Sequence, residues 1–305
     1  MIASVLIFKQ DFMKTKAFIF IITAGILWGT SPLFVNYLAD FGFSSVQLTT
    51  LRSIVAVAVL AVYMLIKDRS LFRVRPIELL LFALSGISYV GAATLYYQSL
   101  QMTSSSTAVV LMYTAPVYVM IYSVAFLGER LTKLKFFSVA AMLIGCFLVS
   151  GIIGGLKFHP VGILLGVLSG ITYSAYNIIT KIEMRRGANA VSATFYAFVF
   201  AAVAAIFVCE PGRMFSKMGE NVVVTLPIVI IFGITTCILP YFLYTLSMRS
   251  LPAGTASSLA IIEPMAATVF SAVFLNQIPS VFSVIGIILI LGAVVILGRT
   301  ESKDV

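Results

Sequence analysis

Ten apolar runs, each about as long as a bilayer is thick, constrain this chain more than any other feature. They lie near 17–38, 46–66, 77–99, 104–126, 135–153, 160–181, 191–209, 225–248, 254–275 and 280–298. Crossing the hydrocarbon core takes about 20 apolar residues of helix. Lipid offers the backbone no hydrogen-bond partner, so only helices and closed barrels can span it. A barrel strand alternates in polarity over about ten residues, whereas these runs are apolar throughout. Composition agrees: 61% of the 305 residues are hydrophobic and 10% are charged, against about 25% charged in a soluble chain. The expectation is an all-α polytopic membrane protein with ten transmembrane helices joined by short loops. That leaves no room for a nucleotide-binding cassette or a large soluble domain.

The first run is too long, and too closely followed by others, to be a cleaved signal peptide. Met13-Lys14-Thr15-Lys16 reads as an alternative start to Met1. Cys146, Cys209 and Cys237 each sit inside an apolar run and imply no disulfide framework. His159 is the single histidine, which excludes a histidine-based metal cluster. No metal and no cofactor are expected.

The net charge of +9 would suit a nucleic-acid binder until the charges are placed. With the N-terminus inside, the inner segments hold Lys9, Lys14, Lys16, Lys67, Arg69, Arg73, Arg75, Arg130, Lys133, Lys135, Lys181, Arg185, Arg186, Arg249, Arg299 and Lys303. The outer loops hold only Lys157, Arg213 and Lys217, and Arg52 falls within a run. Cytoplasmic loops carry the basic excess in membrane proteins. The charge is therefore topological: both termini are expected in the cytoplasm, the chain in the cell (inner or plasma) membrane, and no nucleic-acid partner.

The sequence also repeats itself. A shift of 148 sets Phe126-Leu127-Gly128-Glu129 on Phe274-Leu275-Asn276-Gln277, Thr107-Ala108 on Thr255-Ala256, Pro116 on Pro264, Tyr96 on Tyr244 and Ser99 on Ser247. A shift of 141 sets Gly25, Gly29 and Asn36 on Gly166, Gly170 and Asn177. Two five-helix repeats result, 17–153 and 160–298. Five is odd, so the second copy enters the membrane inverted, an architecture common among secondary transporters.

Ala24-Gly25-Ile26-Leu27-Trp28-Gly29-Thr30-Ser31-Pro32 resembles the first-helix signature of the EamA family in the drug/metabolite transporter superfamily. Thr49-Thr50-Leu51-Arg52, Leu127-Gly128-Glu129-Arg130-Leu131-Thr132 and Glu263-Pro264 are similar to its other signatures. The resemblance covers 17–298 and implies a ten-helix carrier of small organic solutes, often an exporter. Its central cavity would be lined by runs 1, 3, 4, 6, 8 and 9. Two positions depart from the pattern: Gln277 stands where a Glu is usual, and no second-half arginine matches Arg52.

Glu263 stands out as an acid within a run, where a carboxylate costs about 2.5–3.5 kcal/mol on insertion scales. It reads as a site for a cation, an amine or a proton, or else as a structural hydrogen bond beside a proline-freed carbonyl. Arg52 reads as snorkelling to the headgroups or hydrogen-bonding loop carbonyls, with ligand contact the lesser reading. Trp28, Tyr89, Tyr96, Tyr113, Tyr173 and Tyr244, with Tyr176 and Asn177 beside Tyr173, suit a cavity wall for a small amphipathic solute. The interfacial belt is their alternative. Pro116 and Pro264 read as paired hinges or as static kinks. Asn36 and Asn177 read as gate residues or helix caps. Glu129 reads as a surface residue beside Arg130 and Lys133. The glycine rows Gly25/Gly29 and Gly162/Gly166/Gly170 suit close helix packing.

No Walker loop, His-Glu-x-x-His or Gly-x-Ser-x-Gly pattern is present, so no catalytic residue and no enzyme is expected. The reading is a secondary transporter of the bilayer that moves a small organic metabolite such as an amino acid, in the export direction, by alternating access. A coupling proton or an exchanged solute would supply the energy. An intramembrane enzyme on a hydrophobic substrate and a passive channel are the rivals.

Overall fold

A computed structural model describes the backbone of residues 2–151 and 159–303, and the side chains of 13–104, 106–151 and 159–299. The side chains of Lys9 and Lys303, all of Lys157, the last two residues of the fifth run and the Met1 start lie outside the described residues. Among those described, every regular element is a helix. The helices are α1 (Ile2–Gly29), α2 (Ser31–Ala39), α3 (Ser45–Lys67), α4 (Pro76–Met102), α5 (Ser105–Met112), α6 (Ala115–Phe126), α7 (Lys133–Val149) and α8 (Pro160–Arg185). They continue with α9 (Ala190–Ile206), α10 (Pro211–Glu220), α11 (Val222–Gly233), α12 (Leu239–Ser247), α13 (Ala253–Leu259), α14 (Ile262–Phe274) and α15 (Val281–Lys303).

Eight helical stretches are long and apolar enough to cross a membrane, or nine if α9 and α10, bent by 100°, count as one. At 17 residues each, α7 and α9 stand at the short end of what spans a bilayer. Large apolar side chains face outward along most helices; Ile66, Val223 and Ile278 are more than four-fifths exposed. Water would not tolerate such a surface, but lipid tails do. The chain is a multi-pass membrane protein.

Four of the apolar runs are interrupted, and the sequence explains where. Proline lacks an N–H, and its ring collides with the carbonyl four residues back. Pro32, Pro116 and Pro264 accordingly stand in the first turns of α2, α6 and α14, just after a break. Pro116 and Pro264 are thus not embedded in continuous helices, as the sequence suggested, but restart them. At two breaks a threonine two residues before the proline adds a side-chain bond to a carbonyl that its own N–H also reaches: Thr30 Oγ1 donates to Leu27 O at 2.7 Å, and Thr114 Oγ1 donates to Leu111 O at 2.6 Å. Before Pro240 the chain widens instead into one π-turn, Ile234–Ile238, which reroutes the ladder without a break.

The segment after α9 was expected to be an outer loop. Instead α10 forms there, tied back when Lys217 Nζ donates to Gly42 O. Helix pairs recur in matched sets: α4 packs on α8 as α1 does on α12, α5 and α6 on α8 as α14 does on α1, and α7 on α15. The α7–α15 crossing is closest at Gly145 and Gly286, where a Cβ on either would lie under 3 Å from the carbonyl oxygen of the other. The expected glycine rows also lie against partners: Gly25 and Gly29 against α14, and Gly166 and Gly170 against Leu111.

Candidate functional site

A cavity of about 440 Å³ lies between α1, α2, α3, α4, α5, α8, α12 and α14. It extends from Trp28, Tyr89 and Tyr241 at mid-helix to Asn36, Ser45 and Ser150 at helix ends, and it falls in the size range of small-molecule sites. Of the residues singled out in the sequence, Trp28, Asn36, Tyr89, Tyr96, Tyr113, Tyr173, Glu263 and Pro264 line it. Glu263 reaches this position because α14 restarts one residue before it, in the first turn after the break. Tyr113, at the opposite break between α5 and α6, neighbours its carboxyl.

Three expected members stand elsewhere. Tyr244 is fully buried and its hydroxyl donates to Asn177 Oδ1 at 2.6 Å, so the two satisfy each other beneath Trp28 rather than lining the space. Asn177 is thereby placed mid-helix, and not as a cap. Pro116 is buried outside the lining.

The sequence reading gave Arg52 little weight as a cavity residue and did not single out Tyr97 and Tyr241, which also line the wall. Arg52, expected to snorkel, lines the cavity instead. Its guanidinium lies 5.9 Å from the Tyr89 ring centre and 5.8 Å from that of Phe232, within cation–π range. Its Nε finds no hydrogen-bond partner, and neither does Trp28 Nε1. Both are buried donors with hydrogen-bonding capacity unspent. Tyr97 and Tyr241 complete the aromatic surface; both sit one turn or less from tyrosines already noted, on runs too rich in aromatics to single them out.

Below the cavity the aromatic rings close on one another. Trp28 meets Tyr241 edge-on at 4.9 Å, Tyr241 meets Tyr89 at 5.2 Å and Phe198 at 5.3 Å, and Tyr176 lies 5.8 Å from Tyr241. Such edge-to-face contacts stabilise beyond simple burial, and together they form a plug. Polar ties seal the end beyond it. Lys181 Nζ donates to Met248 O and Leu251 O at 2.8 and 2.6 Å, and Arg185 donates to Leu127 O at 2.9 Å. The Glu129 carboxylate accepts from Ala253 N at 2.6 Å and Gly254 N at 3.3 Å. Glu129 is therefore no idle surface residue: it caps α13 from across the molecule. The protein is open at the end bearing Asn36 and Ser150 and shut at the end bearing Lys181, Arg185 and Glu129.

The comparisons with known proteins agree with this architecture. The chain is 27% identical over 279 residues to a protein of Archaeoglobus fulgidus named as an uncharacterized transporter, covering 92% of this chain and 95% of that one. A Clostridium kluyveri protein of the same name is 26% identical over 293 residues, 92% of each chain. One crystal structure superposes with a TM-score of 0.75 across 94% of this chain and 98% of that chain at 20% identity, a likeness of fold. The model of the EamA-like transporter family matches residues 15–151 and again 160–299, and the chain belongs to that family.

Proposed function

We propose that this protein is a secondary transporter of a small zwitterionic metabolite of the amino-acid class, working by alternating access. The observation that carries the reading is a cavity shut at one end only, with one carboxyl (Glu263) and one guanidinium (Arg52) in an aromatic wall. An amino acid presents an ammonium group, a carboxylate and a side chain. A carboxylate, a guanidinium and tyrosine faces are the groups that recognise those three. Matched charges inside a low-dielectric cavity reject solutes of a single charge, because one wall charge would then be left unpaired.

Ten spans, two inverted five-helix repeats and cytoplasmic termini accompany this reading. The matched helix pairs support the repeat, and the two family matches support its boundaries near 17–153 and 160–298. Under the positive-inside rule the shut end, rich in Lys and Arg, is cytoplasmic, and the state described faces outward. In the export direction Glu263 would load from the cytoplasm after the plug parts, with Pro116 and Pro264 restarting helices that bend at their breaks. Energy would come from a proton or an exchanged solute.

Proteoliposomes loaded with a pool of amino acids and small amines test the proposal. Saturable movement of a zwitterion is expected, accelerated by the same solute on the far side. Arg52→Gln and Glu263→Gln should each lower the apparent affinity for it. Movement that never saturates would make the protein a channel, and no movement under any gradient would overturn the carrier reading.

A further inference from the structure

A second acid, Glu183, lies beyond the plug and takes no part in the cavity. The eighth helix runs to Arg185, past the expected end at 181, so that Glu183 faces inward and is only 2% exposed. Glu263 is thus not alone as an acid among the helices. The Glu183 Oε1 atom is buried without a hydrogen-bond partner. Beside it is a pocket of about 10 Å³, room for about one water-sized occupant.

The chemistry of that pocket favours one kind of occupant. Ser85, Thr180, Thr194 and Thr245 bring hydroxyls to its wall, with the rings of Tyr89, Tyr176, Tyr241 and Phe198. Ser85 already donates its proton to Phe82 O at 3.0 Å, and Thr194 donates to Ala190 O at 2.8 Å. Ser85 also lies within hydrogen-bonding reach of the Glu183 carboxyl, and each of these hydroxyl oxygens keeps lone pairs that can face an occupant. The elements packed around it, α4, α9 and α12, contribute only the tyrosines as titratable groups and no base. On its own helix, Lys181 donates to Met248 and Leu251, and Arg185 to Leu127. Arg249 donates to Ala188 O, and Arg52 stands on the cavity side of Tyr89. A carboxyl without a base, beside hydroxyl oxygens in a space for one small particle, suits a compact hard cation.

We propose that this pocket binds a compact monovalent cation, a proton or a sodium ion, at Glu183 on the shut side of the aromatic plug. Tyr89 and Tyr241 line both this pocket and the central cavity, so the occupant and the plug share a wall. With the cation bound, the carboxyl is neutralised and the dry, closed arrangement persists. With it gone, an unpaired carboxylate is left among apolar rings, and water entering from the shut end relieves it. Occupancy at Glu183 and opening of this end are therefore linked. The link to transport rests on the carrier reading; the binding itself does not.

Trp28, the only tryptophan, meets Tyr241 edge-on and reports on the plug. The experiment follows Trp28 emission of the purified full chain in nanodiscs. Sodium chloride is exchanged for choline chloride at constant ionic strength, and pH is varied in a separate sodium-free series. We expect a saturable response to sodium, to pH, or to both in competition; the pattern names the ion. Glu183→Gln should abolish the response and Glu263→Gln should retain it. Glu183→Asp and Thr180→Val should each move the midpoint about tenfold, which decides the matter if the Gln variant does not fold. A wild type silent to both ions, an unchanged response in Glu183→Gln, or unmoved midpoints in Asp and Val would overturn the proposal. No transported solute is needed, so a silent proteoliposome assay with an intact titration would defeat the carrier reading alone.

Discussion

Removing the Glu129 clamp should unlatch the shut end by a calculable amount. Glu129 accepts two backbone hydrogen bonds at the first turn of α13, one short at 2.6 Å and one long at 3.3 Å. A hydrogen bond to a charged group contributes about 1.5–3 kcal/mol, and a carboxylate at a helix start gains about 0.3–1 kcal/mol from the aligned backbone dipoles. The long bond argues for the lower ends, giving about 3 kcal/mol in all. That is roughly a hundredfold in the ratio of shut to open molecules, at 1.4 kcal/mol per factor of ten. Glu129→Ala should show the whole effect. Glu129→Gln, which keeps an acceptor oxygen but no charge, should show about a tenfold change. The assay is the rate at which a water-soluble maleimide labels Ser257→Cys, a position 3% exposed in the shut end, with the three native cysteines replaced. Labelling at the wild-type rate in a folded Glu129→Ala protein would refute the reasoning. The end would then be held by the aromatic plug and helix packing alone.

Other consequences follow from single contacts. Gly29→Ala would place its Cβ 2.5 Å from that of Ala266 and 2.8 Å from the Ala267 backbone, whereas Gly25→Ala meets the Ile262 side chain at 3.1 Å and the Glu263 backbone at an ordinary 3.5 Å. Gly29→Ala should therefore lose about 1–3 kcal/mol in a thermal melt, and Gly25→Ala clearly less. Tyr244→Phe removes the donor to Asn177 Oδ1 and leaves a buried acceptor bare, a cost of about 1–3 kcal/mol visible as a lower Tm; an unchanged Tm would show that water replaces the hydroxyl. Outside the spanning helices, hydrogen bonds from the Ser70 side chain and backbone hold the Asp68 carboxyl below the usual carboxylate range. A lowered group stabilises above its ordinary pKa and loses that contribution as pH falls through its own lower value. Protection from hydrogen exchange in the Arg69–Phe72 turn, taken relative to the intrinsic rate at each pH, should fall on acidification in wild type, and should be lower but flat in Asp68→Asn.

How much of this was legible in the sequence depends on the length scale of the signal. The apolar runs extend over whole spans, and nearly every helix begins and ends within a few residues of its run. Breaks before Pro32, Pro116 and Pro264 follow from local chemistry, but their depth does not, because a proline kinks or restarts a helix depending on what satisfies the freed carbonyls. Arg52 and Glu183 escaped for opposite reasons. A lone arginine two turns inside a run looks the same whether it snorkels or faces a cavity, and only the packing of α3 against α9 and α11 decides which face is which. Glu183 lies beyond the last apolar residue of its run, in a stretch that reads as loop: Lys181, Glu183, Arg185 and Arg186. It is buried by α4, α9 and α12, elements distant in sequence. The pairing of Asn177 with Tyr244 joins two residues that the repeat pattern had each matched to something else.

The repeat also raises the question of why one end is shut and the other open. If the halves were equal, the two states would be equal in energy, and the asymmetry must lie where the repeats differ. At a shift of 148, Glu129 corresponds to Gln277 and the capped turn at Ala253–Gly254 corresponds to 105–106. The shut end is therefore latched by a carboxylate, while the open end has an exposed neutral amide in the equivalent place and α5 is capped locally by Ser104. Charge at one latch and none at the other favours the state described by the charged contribution, about 1–1.5 kcal/mol, or roughly tenfold. Gln277→Glu should restore the balance, shifting molecules toward the state open at the Lys181 end, so that labelling at Ser257→Cys rises about tenfold over the Gln277 background. Combined with Glu129→Gln, the charge pattern is reversed, and the two effects should add, because the latches lie at opposite ends and share no partner. Labelling unmoved by Gln277→Glu would place the bias in the aromatic plug, and the latches would then be consequences of the closed state and not its cause.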